Sequence, residues 1–332
     1  MRKVFILAFA VILVFFIDTF ENTLFAQFSL NITRCENVND VIALIDTVFL
    51  DGVSPSQYKN ISFTGDPHAV GYFSQGYVFG FKRKQGIVMG SGFVEDLATP
   101  NNCSSYANGN TTGVSDPDLV IAAGGSIFDA CIIEFDFMPS GNDVRFNYVF
   151  GSEEYHEWVS PAYNDVFGFF LSGPGISGPY SNNSVNIALI PGTNLPVKIS
   201  NINCGDQDAS CTAPPGGGSN CEFLYDNTNS GAGTFQQTTL DAYTEPFVAE
   251  NETQPCEWYH IKLAIGDYAD PTYDSGVFLE KGSFDPGNIS ETTAYSHPTI
   301  DSVLYESCNN HEAVLYFGIA SVRLDPYIVP YT

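Results

Sequence analysis

The apolar positions of this chain pass through three periods. Residues 4–17 form an unbroken apolar run behind Arg2 and Lys3. A membrane-spanning helix needs about 20 such residues. This run is shorter, and Leu24-Phe25-Ala26 follows it, so residues 1–26 read as an export signal cleaved after Ala26. In residues 37–51 the apolar side chains Val38, Val41, Ile42, Leu44, Ile45, Val48 and Phe49 recur at helical spacing. Asn37 or Asn39 can cap that helix and Gly52 can end it. It is the one amphipathic helix the pattern predicts, suited to covering a face or an end of a sheet.

Beyond residue 52 the period falls to two. Ile133, Phe135 and Phe137 alternate with Glu134, Asp136 and Met138, and Val144, Phe146, Tyr148 and Phe150 follow after a Pro-Ser-Gly-Asn-Asp turn. This pair predicts a hairpin. Residues 165–171 are almost wholly apolar, as in a strand buried on both faces. Residues 185–190, 195–199, 259–265 and 276–279 read as further strands. Many short strands with regular turns predict an all-β fold, a two-sheet antiparallel sandwich of jelly-roll type with one N-terminal helix. Residues 201–233, rich in Gly, Asn, Pro and Cys, predict a long cross-linked loop. From residue 286 a linker leads to two strand-like segments, 301–306 and 313–319. These are too few for a domain of their own, so they read as the start of a further β-domain or as a tail packed back onto residues 27–285.

Composition narrows the function. The chain has 332 residues, 38 Asp and Glu against 12 Lys and Arg, and a net charge of -26, yet charged residues make up only 15% of it. The charge reflects few bases rather than acidic runs. It repels phosphate and anionic lipid, which argues against nucleic-acid binding. No second run is long enough for a membrane-spanning segment in the mature chain. Cations, extracellular glycans and surface proteins remain as partners. All eight cysteines follow the signal. In an exported chain they predict disulfides, at least one of them local among Cys204, Cys211 and Cys221. No C-x-x-C spacing supports zinc.

Several ordered motifs resemble one known family. FGSEEY at 150–155, YNDVFGFFLSGPG at 163–175, IPGT at 190–193, WYHIKLAI at 258–265, DSGVFLE at 274–280 and GSF at 282–284 are similar to the choice-of-anchor L domain, as are AVGYF at 69–73 and GIV at 86–88. The resemblance implies an exported, non-catalytic module of larger adhesion-like surface proteins of Bacteroidetes-type bacteria. Such proteins commonly end in type IX secretion or gliding-associated sorting domains.

Two acidic loops are the candidate chemistry. Glu153, Glu154, Glu157 and Asp165 crowd one connection, and Asp267, Asp270 and Asp274 another. Hard oxygen ligands with few bases suit calcium, which takes 6–8 oxygens. The expected metal residues are Glu153, Glu154, Asp165, Asp267 and Asp274. The same carboxylates admit a glycosidase reading, but no hydrolase, metalloprotease or nucleotide-binding motif accompanies them. Tyr155, Trp158 and Tyr163 flank the first loop and define the alternative, a calcium-dependent, lectin-like module with these three as ligand-binding residues. Asp116-Pro117-Asp118 reads as a turn.

Overall fold

The computed structural model describes residues 30–101, 113–156, 158–159, 164–205, 217–228 and 238–287, with the backbone of 304–305 and 314–315. The export signal expected at residues 1–26 lies outside the described residues.

The N-terminal helix forms where the pattern places it. Asn37 accepts hydrogen bonds from the amides of Asn39 and Asp40, satisfying donors the first turn leaves open, and α1 runs Val38–Leu44. A π-helical turn, Ile45–Phe49, continues it, and Gly52 follows with φ +96°, a conformation glycine adopts without strain. Val41, Ile45 and Phe49 are fully buried. Phe49 meets Phe146 edge-on at 5.4 Å, so the apolar stripe of the helix belongs to the main core.

Thirteen strands build the domain: β1 Asn31–Arg34, β2 Tyr58–Thr64, β3 Val70–Ser74, β4 Gln85–Gly90, β5 Ile127–Phe137, β6 Asp143–Ser152, β7 Val166–Ser172, β8 Val185–Asn186, β9 Leu224–Asp226, β10 Ala242–Thr244, β11 Phe247–Glu252, β12 Tyr259–Tyr268 and β13 Ser275–Glu280. The larger sheet runs β1-β3-β4-β13-β6-β10-β9, with β11 also on β6. The smaller runs β2-β5-β12-β7-β8. All pairings within them are antiparallel. Phe135 and Phe137 of β5, Ile261 and Leu263 of β12, Phe146 and Tyr148 of β6 and Leu279 of β13 share one core between the sheets. The fold is the two-sheet antiparallel sandwich the alternation predicts.

The alternation does not choose strand partners, and here the hairpin expectation fails. β5 pairs with β2 and β12, whereas β6 pairs with β10, β11 and β13. The turn between them crosses from one sheet to the other. Its Ser140 amide donates to the carbonyl of Pro286, and Met138 donates to Gln57. Those groups are therefore spent on other segments rather than on closing a hairpin. β7 does read correctly. Phe167, Phe169 and Leu171 face the main core, while Val166 and Phe170 join an outer cluster under a second helix, α2, Pro117–Ala123. That helix starts at Asp116-Pro117, the segment expected to be a turn. The Asp116 side chain accepts from the amides of Asp118 and Leu119, and Pro117 takes the first helical position, where its missing N–H costs nothing. Residues 187–199 are mostly not strand, although Ile187, Ile190, Val197 and Ile199 are buried in the core. Single bridges, Leu189 to Pro196 and Val166 to Lys198, hold that segment in place.

Cys204 and Cys221 form the local disulfide, with Cα atoms 4.7 Å apart. Cys256 is also disulfide-bonded. Cys35 and Cys131 are buried free thiols, while Cys103, Cys211 and Cys308 lie outside the described residues. Of the tail, Leu304–Tyr305 (β14) pairs antiparallel with Val314–Leu315 (β15). No helix among the described residues is long and apolar enough to cross a membrane.

Candidate functional site

Strand ends from both sheets deliver carboxylates to one end of the sandwich. β12 and β7 pair up to Gly266 opposite Val166. One further step sets Asp267 against Asp165, on the same inward parity as Ile265 and Phe167. The apolar core therefore gives way to carboxylates at this end. β6 ends at Ser152, immediately before Glu153 and Glu154, and β13 begins just after Asp274. Glu153 donates its backbone amide to the Asp274 carbonyl at 3.1 Å. Asp274 lies against Gly92, where a Cβ would fall 2.1 Å from its carboxylate oxygen, so only glycine leaves that space.

All five expected metal residues are buried: Glu153, Glu154, Asp165, Asp267 and Asp274 are each 5% exposed or less. Asp165 is well held. Its two oxygens accept from the Tyr268 amide at 3.0 Å and the Ser275 hydroxyl at 2.7 Å. Glu154 accepts from the Asp165 amide at 3.2 Å. Asp267 is different: neither of its buried oxygens receives a well-formed hydrogen bond, although Ser91 and Asp165 are close enough to interact with it.

The electrostatics follow from burial without bases. Burial first, then the charge of Asp165, pushes the Glu154 carboxyl up to about 10, with the Asp165 amide opposing and Asp270 adding to the rise. Burial pushes Asp165 up to about 7 against its hydrogen bonds. Burial and the charges of Asp165 and Asp274 push Asp267 well above the usual carboxylate range, with Ser91 opposing and Asp129 adding. Asp129 and Asp270 are members that sequence spacing alone did not assign to the ligand set. No group of three or more His, Cys, Asp or Glu side chains among the described residues is close enough, as arranged, to hold a metal ion.

The three aromatic residues separate. Tyr155 is fully enclosed and donates its hydroxyl to the Ile202 carbonyl at 2.7 Å, so it is a core residue and offers no face to a sugar. This corrects its assignment as a ligand-binding residue. Trp158 is half-buried and stacks on Tyr273 with ring centroids 5.7 Å apart. Tyr163 and Glu157 lie outside the described residues.

A second acidic cluster occupies the outer face of the smaller sheet, and the sequence reading missed it. Lys262 sits mid-strand on β12, opposite Glu134 of β5 and Phe170 of β7. Its ammonium lies 2.6 Å from Asp116 Oδ2, 2.6 Å from Asp118 Oδ2 and 5.0 Å from the centre of the Phe170 ring. Burial pushes the Asp118 carboxyl up, but the Lys262 ammonium and the hydrogen bonds from Ser181 outweigh it and hold it below its ordinary value. Beside it, His260 contacts Asp136 at 2.8 Å and Glu134 at 3.3 Å. Glu134 raises the His260 pKa, with burial opposing, and His260 in turn lowers that of Glu134. The signal is present in the sequence: one of only 12 Lys and Arg residues interrupts the apolar run from Ile261 to Ile265.

The family model described as the choice-of-anchor L domain matches residues 32–285. No curated protein and no solved structure matches the chain.

Proposed function

The chain belongs to the choice-of-anchor L domain family, surface-associated modules of secreted proteins, and from that premise we propose that it is a non-catalytic display module whose acidic end takes up calcium. The observation that carries the calcium reading is Asp267, whose two buried oxygens have no well-formed hydrogen bond and which faces the charges of Asp165 and Asp274. Like charges without an ion stand apart, and a divalent cation would draw them together. In this reading the module sits outside the cell, within a larger adhesion-like protein delivered by its export signal and type IX secretion. Extracellular glycans or other surface proteins are its partners.

Thermal unfolding in excess calcium and in chelator tests it. A ligand present at about 100 times its Kd adds about 2.7 kcal/mol, so the midpoint should rise by several degrees in calcium, and Asp267→Asn should abolish the rise. Identical midpoints for the wild type would sink the calcium reading.

Carbohydrate binding is the second reading, and the half-buried Trp158 on its Tyr273 support favours it. A glycan array comparing the wild type with Trp158→Ala decides: no sugar retained by the intact domain dismisses it.

A further inference from the structure

The Lys262 cluster is arranged for a bond as well as an ion pair. Lys262 Nζ and Asp118 Oδ2 are in contact at 2.6 Å, with Lys262 7% and Asp118 1% exposed. The pair starts charged, because Lys262 and Ser181 hold the Asp118 carboxyl below its ordinary value, and burial, which penalises both charges, works against that. The other Asp118 oxygen, Oδ1, accepts from both the amide and the hydroxyl of Ser181, at 2.7 and 2.8 Å. Two donors on that oxygen polarise the carboxyl and stabilise negative charge developing on it. Asp116 completes the group. Its Oδ1 is fixed by the amides at the start of α2, and its Oδ2 lies 2.6 Å from the same ammonium. All four residues are positioned by the folded chain, so Nζ is held 2.6 Å from one carboxylate oxygen of each aspartate.

We propose that Lys262 and Asp118 condense to an intramolecular isopeptide bond that ties β12 to α2 in the folded domain. Lys262 passes one proton from Nζ to Asp118 Oδ2, giving amine and acid. Nζ then attacks Cγ. As the N–C bond forms, Asp116 takes a second proton from Nζ, and the charge collects on Oδ1 under the two Ser181 donors. Asp116 returns that proton to Oδ2, the Cγ–Oδ2 bond breaks, and one water leaves. Lysine ammonium plus aspartate becomes a neutral amide plus water, Asp116 is regenerated, and no oxidant or activated donor is consumed. A small pocket of about 30 Å³, lined by Asp118, Ser181, Glu134 and Lys262, gives the water a way out.

Intact mass and a proteolytic digest of the reduced, denatured chain, purified after folding, test this. The wild type should weigh one water less than its sequence, and the digest should contain a branched peptide joining Lys262 to Asp118. Lys262→Ala and Asp118→Ala should restore the full mass. Asp116→Asn keeps both bond-forming residues and should also show the full mass, a result that a structural salt bridge alone would not require. A folded wild type at full mass, with the Lys262 peptide unlinked, overturns the proposal whatever the variants do.

Discussion

β12 carries Asp267 near one end and Lys262 near its middle, and the carboxylates around those two residues behave in opposite ways. Around Asp267 burial acts with neighbouring carboxylates, and Glu154, Asp165 and Asp267 are all pushed up. Around Lys262 and His260 burial acts against bases, and Asp118 and Glu134 are held down. Both regions are acidic and both meet β12 of the smaller sheet. What separates them is two bases. A chain this poor in Lys and Arg neutralises one buried cluster with its own side chains and leaves the other to protons or a cation from outside.

The largest effect should come from removing the base. Lys262→Met strands Asp116 and Asp118 in a buried site, which costs about 3–5 kcal/mol when one partner of a buried pair is lost. Urea unfolding monitored by tryptophan fluorescence measures it. A loss below about 1 kcal/mol would mean that Lys262 is not what distinguishes the two regions.

Next comes pH, read in chelator. Folded Glu154 and Asp165 titrate near 10 and 7, above their ordinary values of 4.5 and 3.8. The folded state therefore binds more protons than the unfolded state between those limits. Its stability is greatest at or below the ordinary values and falls as pH rises, by about 1.4 kcal/mol per pH unit for each extra proton held. A series of unfolding midpoints from pH 5 to 8 should slope downward in chelator and flatten in calcium. A flat chelator series would break the comparison at its acidic end.

Asp267→Asn sharpens the same end by a smaller step. It replaces a carboxyl that the site drives toward protonation with a neutral amide of nearly the same shape, and the chelated variant should gain about 1 kcal/mol over the chelated wild type. A loss would show that the carboxylate is already satisfied.

The smallest effect lies at His260, about a third exposed and screened by solvent. His260 is raised, so its contribution is complete below its unfolded pKa and fades as pH rises through the folded one. Glu134 is lowered, so its share is present above its unfolded pKa and fades as pH falls through the folded one. His260→Gln should cost about 0.5 kcal/mol near pH 5.5 and almost nothing at pH 8. Equal costs at both would assign the loss to packing.

The residues of both regions were visible in the sequence to different degrees. Glu154, Asp165, Asp267 and Asp274 stand beside strand motifs and were singled out from two separate loops, yet spacing along the chain carries no distance between loops. Tyr155 differs from expectation because an aromatic next to acids looks the same in sequence whether its ring faces solvent or core. Asp116 and Asp118 were read as a turn because the helix they start is seven residues long, too short for a periodic pattern, although Asp followed by Pro is a helix-start signal.

Local periodicity and the placement of apolar faces suffice for the β-sandwich, the capped helix at Val38 and the double burial of β7. Only the tertiary structure decided that β5 and β6 lie in opposite sheets, that one strand serves both acidic clusters, and that a single lysine meets two aspartates from a distant helix. Alternation records which side of a strand is buried. It says nothing about which strand lies alongside, and the charge state of a buried carboxyl depends on that neighbour.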